Sequence, residues 1–201
     1  MPVPYEVVFT HDITAYVAPT GEAFPAVNAT PAGNWSRIGT SGNLNYVDSG
    51  LTVMHQQSFT KWRALGDTGT RKVNRTEESL TIKFTLADIT LEQYRYSLNG
   101  NSVTTVAAGG GAAGYKKIGL SRGLTVAQYA LLVRSKHSAY GDGWNSQYEV
   151  PYAFQVGEPE LIFQKTQPVG LELVWEAVID PNAATAVERF GRLVMQHADP
   201  A

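Results

Sequence analysis

Few residues of this 201-residue chain are spaced for chemistry. Gly109-x-Gly111-x-x-Gly114 has the glycine spacing of a dinucleotide-binding turn, in which a helix N-terminus holds phosphate. Tyr115-Lys116-Lys117-Ile118, which follows, starts no helix, and no βαβ unit surrounds it, so the glycines are expected to form a flexible turn between strands. The chain contains no G-x-x-x-x-G-K-[ST] phosphate loop. His11, His55, His137 and His197 lack partners at metal-ligand spacing. Glu77 and Glu78 are adjacent, so in a strand they point to opposite faces and cannot act together. Asp142-Gly143-Trp144-Asn145 reads as a tight turn, since one Asp builds no calcium loop. Sequons begin at Asn28, Asn34 and Asn74, and without a signal peptide they are expected to be accidental. There is no Cys, hence no disulfide framework and no thiol chemistry. The expectation is a protein that is not an enzyme and holds no metal and no cofactor.

The chemistry that does stand out is that of contact. Segment 61–75 (KWRALGDTGTRKVNR) carries five cations together with Gly66, Asp67 and Gly69, and also Trp62 and Leu65, for which a solvated loop has no use. A long loop that exposes an aromatic anchor and cations is more often functional than idle. Phe59, Trp62, Arg63, Leu65, Arg71 and Lys72 are the candidate contacts with a neighbouring subunit. The alternative is a loop that folds back on its own domain. Gly66 and Gly69 make the loop costly to order, and nothing inside it looks able to offset that cost, so it is expected to be mobile alone and ordered against a partner.

Two elements must position this loop. Upstream, 51–59 (LTVMHQQSF) reads as a strand that pairs with 43–47 around Asp48-Ser49-Gly50. Downstream, Leu80, Ile82, Phe84 and Leu86 alternate with polar residues, a half-buried strand. Thr90-Leu91-Glu92-Gln93 then has the form of a capping box, with Leu91, Tyr94 and Leu98 on one face of a short helix that Asn99-Gly100 ends. Further strands are expected at 5–9, 14–18, 102–107, 115–120, 126–134, 148–155, 161–164 and 169–179. The last places Leu171, Leu173, Trp175, Ala177 and Ile179 on one face and Glu172 and Glu176 on the other. Leu80, Ile82, Phe84, Leu86, Leu171, Leu173 and Trp175 are expected to share one core. Segment 19–42 is an extended arm anchored by Trp35 and Ile38, and the tail from 182 is either a capped helical turn or an edge strand over 190–196.

The bulk numbers agree with one large β domain spanning 1–201. Charged residues are 17%, below the usual share of about 25%, while Gly, Thr and aromatics abound. A net charge of −2 argues against a dedicated nucleic-acid binder. No apolar run approaches the ~18 residues of a membrane span, and no signal peptide is expected at the start.

The run IGTSGNLNYVDSGLTVMHQQSFTKW, the Gly-rich basic loop and SLTIKFTLADITLEQYRYSLNG together resemble the tail tube (major tail) proteins of long-tailed bacteriophages. The pairing of Tyr148-Glu-Val-Pro151 with VGLELVWEAVIDP is similar to that family too, so that the resemblance covers residues 35–100 and 148–181. It implies a mainly β fold, a β-sandwich or incomplete β-barrel with one short flanking helix and a long protruding hairpin loop. It implies hexameric rings stacked into a hollow tube through which DNA passes without specific binding. Gene-transfer-agent tails and type six secretion tubes share that architecture. The implied partners are further copies of the chain and other tail proteins at the tube ends, and the implied location is a virion tail assembled in the host bacterial cytoplasm. The loop 59–72 would reach a neighbouring subunit or ring. Glu172 and Glu176 are candidate lining residues of a neutral or acidic lumen, with Lys116, Lys117, Arg122, Arg134 and Lys136 mostly outside it or in subunit contacts. The rival expectation is a soluble β-sandwich binding module for carbohydrate or protein, with Trp62, Tyr140 and Trp144 as an aromatic platform.

Overall fold

The computed structural model describes Glu6 and residues 10–200, so the strand expected at 5–9 lies outside the described residues, Glu6 apart. The chain is mainly β, with one short helix and two antiparallel sheets among the described residues. The strands are β1 (Ile13–Pro19), β2 (Ser36–Arg37), β3 (Tyr46–Trp62), β4 (Lys72–Leu86), β5 (Val103–Val106), β6 (Tyr115–Ile118), β7 (Tyr129–Ser135), β8 (Ser146–Gln155), β9 (Leu171–Ala177) and β10 (Arg192–Met195); α1 is Leu91–Tyr94. The main sheet runs β2-β1-β7-β8-β9-β4-β3, and β5 pairs with β6 as a separate hairpin. β8 forks the sheet: β10 pairs with its residues 146–149 and β9 with its residues 153–155. Among the described residues no helix is long and apolar enough to cross a membrane.

Period-two alternation sets the core. In β9 Leu171, Leu173, Trp175 and Ala177 are buried while Glu172, Val174 and Glu176 are partly exposed. Leu80, Ile82, Phe84 and Leu86 of β4 pack with them in one cluster, as expected, and Ala15, Val17, Leu131 and Val133 join from β1 and β7. The two wings of one sheet therefore face each other across β8. Tyr96, on the turn that continues α1, meets Tyr129 and Trp175 at ring-centroid distances of 6.2 and 6.2 Å, and Tyr129 meets Trp175 at 5.8 Å. The helix thus covers the end of the sheet, and Asn99 (φ 62°) stops it in the left-handed conformation.

The sheet does not close into a barrel. At the gap between its first and last strands a side chain spans instead. The Tyr46 hydroxyl accepts from the Ala15 amide at 2.9 Å and donates to the Ile38 carbonyl at 3.1 Å. Its ring stacks on Phe84 at 5.0 Å. Burial pushes its phenol well above the usual tyrosine range.

β1 and β7 are buried on both faces. Their outer residues Ala18, Ala130 and Leu132 pack under Trp35 and Phe24 of the arm. Arg134 is also buried there; its guanidinium donates to the Ala26 carbonyl at 2.9 Å, to the Ala29 carbonyl and to Gln147 Oε1. Gln147 Nε2 and Asn145 Nδ2 hold the Pro25 and Val27 carbonyls at 2.9 and 3.0 Å. A polar column beneath the arm so holds four of its carbonyls.

Several local expectations are corrected. Residues 43–47 and 51–59 form no hairpin: Gly42–Asn45 is a 3-10 turn and β3 runs on through a bulge between Tyr46 and Leu51, with β4 as its partner. The capping box is not formed, since Thr90 makes no side-chain cap. Asp88 Oδ1 accepts from the Thr90 amide at 3.0 Å instead, and Gln93 Oε1 accepts from the Gly39 amide at 2.9 Å. Residues 161–164 form no strand, Ile179 is 53% exposed, and the tail supplies the edge strand β10.

Tyr46→Phe removes the partner of two buried backbone groups, and a loss of about 1–3 kcal/mol in unfolding free energy is expected by denaturant titration. Because the folded-state pKa of Tyr46 is raised, its contribution is full below the unfolded value of 10.0 and is lost as pH rises above it. The wild-type chain should therefore weaken above pH 10.0. Tyr46→Phe should flatten that loss without abolishing it, since burial raises the Tyr96 and Tyr129 phenols as well.

Candidate functional site

The sequence marks 61–75 as loop, but much of it is strand. β3 extends to Trp62 and β4 begins at Lys72, opposite it, leaving a turn of 63–71. Val73, Arg75 and their partners Lys61 and Phe59 continue the ladder of β4 and β3 beyond the core. Residues 54–63 and 65–77 are all exposed. From Glu78 to Lys72 the ribbon projects roughly 20 Å at the usual rise per residue. A bulge, with Thr76 as the extra residue between the Ser58–Glu77 and Phe59–Arg75 pairs, gives it added twist.

The candidate contact residues gather at the far end of this ribbon. Phe59 and Lys61 share one face with Arg75 and Val73; Trp62 lies on the other with Lys72. Phe59 is 43% exposed, with the Arg75 guanidinium 5.9 Å from its ring centre. Trp62 is 57% exposed and Leu65, in the turn, fully so. Val73, at 54%, belongs with them and was missed; its place among Asn, Arg and Lys hid the alternation.

The turn supplies its own order, contrary to expectation. Asp67 Oδ1 accepts from the Gly69 amide at 3.0 Å, and Asp67 Oδ2 meets Arg71 Nε at 3.0 Å. The Gly69 amide first and Arg71 second hold the Asp67 carboxyl below the usual carboxylate range. Arg71 N donates to the Trp62 carbonyl at 2.9 Å and Arg63 Nε to Thr70 Oγ1 at 3.3 Å. Arg71 is thus engaged within its own turn, whereas Lys61, Arg63 and Lys72 make no ion pair among the described residues.

At the root, Glu78 accepts from Arg75 at 3.1 Å and from Arg189 of the tail. Beside it opens a groove of about 860 Å³ between the ribbon (His55, Gln57, Leu80), β8 (Tyr148, Val150) and Phe190. Glu172 is not part of this surface, whereas Glu176 lines a second groove at the ribbon root with Gln57, Glu77 and Glu78. Glu172 and Glu176 lie on the outer face of β9, where Lys83 Nζ pairs with Glu172 at 2.5 Å and Glu176 sits between Thr81 and Phe154. Two acids and one base leave that face mildly acidic.

No ring contact joins Trp62, Tyr140 and Trp144. The Trp144 indole donates to Asp199 at 2.9 Å and its ring lies over Gly141. Among the described residues no group of three or more His, Cys, Asp or Glu is arranged to hold a metal ion. No protein-family model matches this chain, and no curated protein matches it.

Asp67→Ala should speed amide exchange across 63–71 while leaving the core amides protected. In the wild type the same loosening should appear on acidification: the Asp67 pKa is depressed, so the order it provides is present above the unfolded value of 3.8 and is lost as pH falls through the folded one. Hydrogen exchange resolved by residue measures both.

Proposed function

We propose that this chain is a structural subunit that assembles with its own copies into stacked, hexameric rings, forming a hollow tail tube of the bacteriophage or gene-transfer-agent kind through which DNA passes. The observation that carries this reading is the ribbon. A two-stranded hairpin alone in water is marginally stable, and this one displays Phe59, Trp62, Leu65 and Val73 to solvent. Exposed aromatics ringed by cations are the usual anchors of a protein interface. The internally braced turn fits a preformed arm better than a segment that orders on binding, since pre-organisation lowers the entropic cost of association.

The outer face of β9 and β4 supports the conduit part of the reading. With Lys83 neutralised by Glu172, and with Thr85, Val174 and Glu176 beside them, it offers a surface without free cations to hold phosphate. On this reading Glu172 and Glu176 face the lumen, the chain ends up in a virion tail, and its partners are its own copies and the proteins at the tube ends.

Replacing 63–70 by a short Gly-Ser turn keeps the Trp62–Lys72 end of the ladder and removes Leu65 and Arg63. The variant is expected to keep the wild-type circular dichroism and unfolding transition but to sediment as a monomer under conditions in which the wild type forms rings and tubes in micrographs. A variant that still builds long tubes would remove the ribbon tip from the interface.

A further inference from the structure

The hairpin tip needs a receiving surface, and the topology puts one candidate at the opposite pole of the subunit. β4 runs from Lys72 at the ribbon to Leu86, a span of about 50 Å for its 15 residues. β9 begins at Leu171, which pairs with Leu86, so the segment 156–170 that joins β8 to β9 hangs at the end away from the ribbon. Leu161 packs on the core and pins this segment. Its neighbours Ile162 and Phe163 turn outward, 55% and 75% exposed. Glu158 and Glu160 are exposed beside them and make no ion pair among the described residues.

Two further acids at this pole are already engaged. Glu92 pairs with Lys116 at 2.6 Å, and Asp88 is buried and bonded to Thr40 and Thr90. Arg122 donates to the Gly157 carbonyl at 3.4 Å, and Lys165 follows later in the same segment without an ion pair among the described residues. A tail segment with Asp180, Glu188, Ile179 and Val187 lies at the ribbon's own pole, and its neighbours Arg189 and Arg192 pair with Glu78 and Glu149.

We infer that loop 156–163 of one copy receives the hairpin tip of the next, with Glu158 and Glu160 meeting Lys61, Arg63 and Lys72, and Ile162 and Phe163 packing against Trp62 and Leu65. This rests on the self-assembly reading and names its receiving partner. Because donor and acceptor lie at opposite poles, the contact is head-to-tail and does not close on itself, which is the geometry of an open stack.

Charge reversal on the full-length chain tests it. Glu158→Lys with Glu160→Lys should raise the concentration for half-assembly about tenfold or more, since like charges then meet across the contact. Adding Lys61→Glu and Arg63→Glu to that chain should restore assembly. Both acids are exposed, and a Glu158→Gln, Glu160→Gln chain repeats the test with isosteric side chains should the lysines disturb folding. A folded reversed chain that assembles like the wild type, or a fourfold variant that stays dispersed, would overturn the acceptor assignment while leaving self-assembly intact. A wild-type chain that stays monomeric at every concentration would remove the self-assembly reading and this inference with it.

Discussion

The hydroxyl of Tyr46 holds the open edge of this fold. One sheet curls until its first and last strands face each other, yet they never pair. A gap of that kind leaves backbone groups of β1 and the segment after β2 short of partners. Tyr46 supplies both a donor and an acceptor, to Ile38 and Ala15, from a ring stacked on Phe84. The 3-10 turn before it is seated by Asn43 on the His11 carbonyl and by the Ala87 amide on Asn45. Once Tyr46 is fixed opposite Leu86, the bulge before Leu51 sets the register of all the pairs that follow. The direction and reach of the ribbon are therefore decided at the far end of β3, 16 residues from Trp62 by number.

That arrangement links the core to the proposed assembly. Trp175, Tyr96 and Tyr129 lock the helix pole, while the Glu78 pairs with Arg75 and Arg189 tie the ribbon root to the tail. The ribbon leaves a rigid base and bears its apolar side chains on both faces. On the proposed reading, a stiff arm on one pole and an acidic, apolar loop on the other give the subunit polarity, and polarity is what a stack of identical rings requires. The exposed ion pairs along the way contribute little stability of their own in water; their part is orientation.

The sequence made the core of β4 and β9 legible because alternation is strict there and burial on one face follows from it. Asn99-Gly100 was legible for a similar reason, since few residues accept the left-handed conformation. The capping box misled because the motif reports only local options. Asp88 lies two residues before Thr90 and serves it as a cap, and Gln93 is drawn to Gly39, 54 residues away. The ribbon was read as loop because its residues face solvent on both sides, so no periodicity marks them; its pairing comes from the register set at Tyr46. The burial of Arg134 was not legible because its acceptors are carbonyls of the arm, 105 and 108 residues away, and no spacing announces them.

The most direct measurement of the central claim is negative-stain microscopy of the purified wild-type chain across a concentration series, with sedimentation on the same samples. The account predicts rings with an open centre that stack into tubes as concentration rises, with the ribbon bridging successive rings. Particles that remain single subunits throughout, with an unchanged sedimentation coefficient, would contradict it.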